Sequence, residues 1–261
     1  MNETMCWGAT GMGSVFACGR GVRFTTFFLR ERTSNISSAM PTKQSPMGNY
    51  RIVSIDGGGI RGALSCVMLG RLEEAVPGFL EKVDLFAGTS TGAVLALSLA
   101  TGTCPEECGL LFERLGNRIF CGALIRAIVG LGGNIRARYS SRQFLEILEQ
   151  HFGDVRLGEL PAKVLVSAFS LDRVSADEEV RSWKPKFFNN FQQQDLDERV
   201  VDVLMRSCAA PSYFPSHQRY VDGGVVAHNP SMSALAQALD KETGDQELSE
   251  VSLLSIGTGR Y

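Results

Sequence analysis

The chain has 261 residues, 44% of them hydrophobic and 21% charged, with 26 Lys and Arg against 28 Asp and Glu for a net charge of −2. This balance excludes a disordered, collagen-like or highly charged chain, and it argues against phosphate-backbone binding, so no nucleic-acid partner is expected. The longest apolar run, Ala93 to Ala100, falls far short of the ~18–20 residues of a membrane-spanning helix, which points to a cytoplasmic or peripheral membrane protein.

Residues 1–47 read as a low-structure N-terminal extension. Arg20, Arg23, Arg30, Arg32 and Lys43 stand against only Glu3 and Glu31, and Ser and Thr are frequent. An Arg-rich, acid-poor leader fits organelle targeting by a transit peptide, although the glycines at 8, 11, 13, 19 and 21 weaken an amphipathic helix. A disordered extension, or a start at Met40 or Met47, is the other reading. The second region, 48–261, has the alternation of a folded domain.

Arg51 to Ile55 predicts a strand ended by Asp56-Gly57-Gly58-Gly59. Gly62 to Val76 predicts a helix with Leu64, Val67, Met68 and Leu72 as its apolar face. A strand over Val83 to Ala87 and a helix over Ala93 to Ala100 follow, and Pro105 opens another helix at a favourable first-turn position. Ser140 or Ser141 caps a helix over Gln143 to His151, in which Phe144, Ile147 and Leu148 recur at helical spacing. Beyond it come strands at Lys163 to Phe169 and Val180 to Phe188, then a helix from Leu196 to Cys208 stopped by Ala209-Ala210-Pro211. A short strand at Arg219 to Asp222, a helix at Pro230 to Leu239 and a strand at Val251 to Ile256 complete the order. Strands and helices in alternation indicate an α/β fold with a mainly parallel sheet.

Seven cysteines, at 6, 18, 66, 104, 108, 121 and 208, are an odd number and suit free thiols in a reducing compartment. Cys104 and Cys108 are four apart, but no second pair at metal-ligand spacing follows, so no metal is expected.

Three segments can carry chemistry. Gly88-Thr89-Ser90-Thr91-Gly92 is a G-x-S-x-G between a strand and a helix, the setting of a nucleophile elbow. Its flanking glycines admit a sharp turn, and the helix N-terminus favours developing negative charge. The plainer reading is a glycine turn with a capping Ser. Asp56-Gly57-Gly58-Gly59-Ile60-Arg61-Gly62 follows a strand and can serve as a phosphate cradle or an oxyanion hole. The Walker pattern is absent, and Gly57, Gly59 and Gly62 fit G-x-G-x-x-G without the acidic residue a dinucleotide site needs. Asp222-Gly223-Gly224 ends a strand and either projects into a cleft or forms a simple Asp-Gly turn. The order Ser90, Asp222, His228 matches that of α/β-hydrolases, but six residues are too few to put acid and base on separate loops. His151 reads as a helix C-terminal cap and His217 as a loop residue.

Taken in this order, the three segments resemble the patatin-like phospholipase family, which carries D-G-G-G-x-R, G-x-S-x-G and D-G-[GA] motifs. Ala209 to Pro215, Asn229-Pro230 and Leu254 to Gly259 are similar to the family as well, so the resemblance covers about residues 50 to 261. It implies a patatin-like three-layer α/β/α fold with a mainly parallel central sheet. It implies a lipid acyl hydrolase acting on membrane or micellar lipid without metal or cofactor. Ser90 would be the nucleophile and Asp222 the base. The amides of Gly57, Gly58 and Gly59, with Thr91 in addition, would form the oxyanion hole, and Arg61, Gly88, Gly92, Gly223 and Gly224 would support them. The chain departs from the family at His228, where Asn is frequent. It also stops at Tyr261, short of the family's usual extent, as a fragment or short isoform would. The alternatives are a catalytically silent lipid-binding or regulatory module and a phosphate- or nucleotide-binding protein.

Overall fold

The computed structural model describes residues 17–18, 22–23, 50–120, 139, 141–173 and 182–259. In the first 44 residues, two short strands, β1 (Ala17–Cys18) and β2 (Val22–Arg23), pair antiparallel. The transit-peptide reading of residues 1–47 otherwise lies outside the described residues, as does the proposed Ser140 cap.

In the unit Ser45–Tyr261, β3 (Tyr50–Ile55) leads through α1 (Gly62–Ala75) into β4 (Leu85–Thr89) and α2 (Thr91–Ala100). Next come α3 (Pro105–Leu115), α4 (Ser141–Phe152), β5 (Lys163–Arg173) and β6 (Ser182–Asn189). The chain closes with α5 (Val200–Ser207), β7 (Tyr220–Asp222), α6 (Ser231–Leu239) and β8 (Val251–Ile256). The sheet runs β6-β5-β4-β3-β8. β8, β3, β4 and β5 are parallel, while β6 and β7 both pair antiparallel with β5, so the sheet is mixed and mostly parallel.

Helices cover both faces, and the alternation of strand side chains assigns each face its layer. Ile52, Leu85, Ala87 and Leu165 pack with Ala234 and Ala238 of α6. Their neighbours Val53, Ile55, Phe86, Val164 and Val166 join α2, α3, α4 and α5 in the larger core. This is the expected three-layer α/β/α arrangement. α2 is buried from Gly92 to Ala100, which explains why its sequence is apolar all round rather than on one stripe.

Two expectations need correction. The apolar face read for α1 does not point inward: Leu64, Val67 and Met68 are 54%, 55% and 53% exposed, and the buried residues are Gly62, Ser65, Cys66 and Leu69. The small side chains allow close packing, and a Cβ at Gly62 would stand 2.6 Å from Cζ of Phe112 on α3. The helix expected over Leu196 to Cys208 starts only at Val200. Arg199 is extended and bridges to Arg156, and the Glu198 and Leu196 carbonyls accept from Leu157 and Gly158.

Candidate active site

The turn from β4 into α2 holds Ser90 at φ 55° and ψ −126°. That conformation is strained for a residue with a side chain, and surrounding contacts must hold it. Gly88 and Gly92 permit the crossing. A Cβ at Gly88 would stand 2.5 Å from Ala93 Cα, and one at Gly92 would stand 2.5 Å from the Asp56 carbonyl oxygen. The Ser90 N–H donates to Ser207 Oγ at 3.0 Å, and the Ser207 hydroxyl donates to the Ser167 carbonyl at 2.7 Å. Ser207 at the end of α5 thus anchors the turn, a role that nothing in its sequence surroundings signals.

The Ser90 side chain makes no capping bond to α2. Its hydroxyl donates to Asp222 Oδ2 at 2.6 Å. The sheet explains the meeting. On β5, Ser167 lies opposite Thr89 and the next residue, Ala168, lies opposite Asp222. The C-terminal ends of β4 and of the antiparallel β7 therefore meet at consecutive positions of β5. Gly223 is required there, since its Cβ would stand 2.6 Å from the Ser167 carbonyl carbon. The Asp-Gly turn reading also holds, because Asp222 Oδ1 accepts the Gly224 N–H at 2.6 Å. One carboxylate oxygen is fixed by the turn and the other faces Ser90. Asp222 is 6% exposed, and burial pushes its carboxyl above the ordinary range; the Ser90 hydroxyl, the Gly224 N–H and nearby His228 pull the opposite way.

The glycine-rich loop differs from expectation at one position. Gly57 cannot offer its amide to a ligand, because that N–H donates to the His228 carbonyl at 3.1 Å. The Thr258 hydroxyl donates to the Gly57 carbonyl at 3.1 Å, and the Asp56 N–H donates to the Ile256 carbonyl, so the loop is tied to the end of β8. The amides of Gly58, Gly59 and Thr91 have no hydrogen-bond partner among the described residues. Gly58 is needed because a Cβ would stand 2.6 Å from Cβ and Cγ2 of the buried Thr258, whereas Gly59 adopts φ 57° in open space. Two glycine amides rather than three, with that of Thr91 at the α2 N-terminus, are thus left without a partner among the described residues, and all three residues line the same cavity as Ser90.

Ser90, Thr91, Gly58, Gly59 and Arg61 line one cavity of about 460 Å³. The remaining wall is largely apolar: Phe112, Leu115 and Ile119 from α3 and the turn after it, Phe144 from α4, and Tyr213 and Phe214. Tyr139 stacks on Tyr213 at 5.7 Å between centroids, and Phe214 lies 5.6 Å from Phe144. The sequence reading missed this wall. Its only local signal is the Tyr213-Phe214 pair after Ala209-Ala210-Pro211. Cys208 also lines the cavity, and burial pushes its thiol well up, which disfavours the thiolate form.

Among the described residues, the Ser–Asp contact is made without a histidine hydrogen bond to either residue. His151 turns its Nε2 to Ser98 Oγ at 3.2 Å instead of capping its helix. His217 pairs with Asp202 at 3.6 Å. His228 is exposed and contributes its main-chain carbonyl to the glycine loop. Among the described residues, no group of three or more His, Cys, Asp or Glu could hold a metal ion, and no helix is long and apolar enough to cross a membrane.

A family model described as patatin-like phospholipase matches residues 53–235. CotR of Bacillus subtilis is 37% identical over 215 residues, covering 82% of this chain and 64% of CotR. A cGAMP-activated phospholipase of Pseudomonas aeruginosa is 32% identical over 217 residues, covering 80% and 62% of the two chains. Patatin-like protein 2 of Arabidopsis thaliana is 24% identical over 278 residues, covering 86% and 64%. The chain thus spans just under two thirds of the length of these relatives.

Proposed function

Because the chain belongs to the patatin-like phospholipase family, we propose that residues 48–261 form a catalytic domain that hydrolyses fatty acyl esters of membrane or micellar lipids through an acyl-serine intermediate. The observation that carries this reading is the 2.6 Å contact from Ser90 Oγ to the buried Asp222 carboxylate, beside an apolar cavity. A cavity of about 460 Å³ is within the ~300–1,000 Å³ typical of small-molecule sites, and its aromatic wall suits an acyl chain.

In the proposed sequence, Asp222 Oδ2 takes the Ser90 proton as Oγ attacks the ester carbonyl. The tetrahedral oxygen is met by the amides of Gly58 and Gly59, with Thr91 adding a donor where the helix dipole favours negative charge. The C–O bond to the lysolipid then breaks, and that alkoxide leaves with the proton held by Asp222. With that proton passed to the departing alkoxide, Asp222 deprotonates water, which attacks the acyl-serine; the acyl–Oγ bond breaks, Asp222 returns the proton to Ser90 Oγ, and the fatty acid is released. No histidine is required, since donor and acceptor are already in contact. Arg61 stands on the cavity wall, where a guanidinium suits a lipid phosphate.

The test is labelling with a fluorophosphonate probe, followed by release of fatty acid from a panel of lipids. Labelling should map to Ser90, and Ser90→Ala should remove both labelling and turnover. A folded protein that neither labels nor releases fatty acid is a silent lipid-binding module instead.

A further inference from the structure

The exposed face of α1 has no partner among the described residues, and it begins at the cavity. The short helical turn Gly59–Arg61 runs into α1 without a break, since Arg61 and Gly62 both have helical dihedrals. Ile60, Leu64, Val67 and Met68 therefore follow one another at spacings of four, seven and eight residues, on one side of a continuous helix. All four are exposed, at 39%, 54%, 55% and 53%. Ile60 also lines the cavity, so the stripe starts at its lip and extends roughly 12 Å away along the helix at ~1.5 Å per residue. Arg71, on the same face one turn further, is exposed and has no acidic partner among the described residues; Glu74 stands on the flank. Glu73 is turned away, holding the Gly78 and Leu80 amides.

We propose that this stripe is a lipid-docking surface, which seats α1 in the interfacial layer of a bilayer with the cavity mouth facing the lipid. The inference rests on the acyl-hydrolase reading of the cavity. A protein seated on Ile60 would cover the lip through which substrate must pass, whereas a bilayer is both the occupant of the stripe and the source of the acyl chain. Leu, Val and Met on one side with Arg beside them match the apolar and cationic pattern of an interfacial helix, with the guanidinium at the level of anionic headgroups.

Flotation with phosphatidylcholine vesicles containing phosphatidylserine, performed on the Ser90→Ala protein, reads binding without turnover. Val67→Glu with Met68→Glu should lower the bound fraction at least tenfold, and Val67→Trp should raise it. In the active protein the Glu pair should depress vesicle hydrolysis equally while leaving turnover of a soluble p-nitrophenyl ester unchanged, which also verifies folding. Arg71→Glu should weaken binding only when phosphatidylserine is present. Vesicle binding indifferent to both the Glu pair and Val67→Trp overturns the proposal, as does a wild-type dimer that the Glu pair dissociates without loss of vesicle binding. Absent ester turnover with intact, stripe-dependent flotation would instead remove the hydrolase reading and keep the surface.

Discussion

Gly58→Ala isolates the oxyanion loop from the nucleophile. The added Cβ would stand 2.6 Å from both Cβ and Cγ2 of Thr258, about 1 Å inside the ~3.5–4.0 Å of a carbon–carbon contact. Thr258 cannot swing aside, because it is buried and its hydroxyl holds the Gly57 carbonyl. The loop must yield instead, carrying the Gly58 and Gly59 amides with it. Oxyanion donors act at ~2.7–3.1 Å, and losing one costs about 2.7–4 kcal/mol of barrier, or 10²–10³ in kcat. Overpacking at such a site costs about 1–3 kcal/mol of stability, so the protein should still fold. Soluble p-nitrophenyl ester turnover should show kcat falling by that factor with Ser90 still accessible to a fluorophosphonate. Thr258→Gly removes Cβ, Cγ2 and the equally obstructing Oγ1, so the double variant should recover kcat toward that of Thr258→Gly alone. Wild-type kcat in folded Gly58→Ala refutes the oxyanion assignment, and a double variant as slow as Gly58→Ala refutes the steric cause.

Asp222→Asn should lower kcat by several orders of magnitude in the same assay, since an amide cannot take the Ser90 proton. His228→Ala should keep most activity, because His228 supports the loop through its main-chain carbonyl; equal damage from both changes would restore a histidine base. Burial raises the Asp222 pKa, and the base must be ionised to act, so activity should fall on acidification at a pH above the ordinary carboxylate range. A pH profile of kcat/KM whose acid limb lies at or below pH ~4 contradicts that sign. Ser207→Ala leaves the Ser90 N–H and the Ser167 carbonyl without their partner, each at a cost of about 1–3 kcal/mol. Both Tm and kcat should drop with KM little changed, and values equal to wild type in both would remove Ser207 as the anchor of the turn.

What could be read from the residues was local chemistry, and what could not was the identity of the neighbour across space. The glycines around Ser90 and after Asp222 announce tight turns because only glycine survives backbone approaches such as 2.5 Å from Ala93 Cα. The strands before them are short apolar runs, and the structure matches them within about two residues. The α1 face failed for the complementary reason. Periodicity reports which side of a helix is apolar, but the side that packs is the one whose small residues let α3 come close, and Gly62, Ser65 and Cys66 carry no hydrophobic signal of their own strength. Gly57 failed similarly: three glycines advertise three free amides until the His228 carbonyl arrives from far along the chain. The cavity wall is assembled from α3, α4 and the turn after α5, each of whose apolar residues reads as ordinary core. The apolar residues of α1 that the core leaves out have no cover among the described residues, and with Ile60 they form a stripe that starts at the cavity lip, so the surplus hydrophobic pattern of this helix is what marks it as a docking surface.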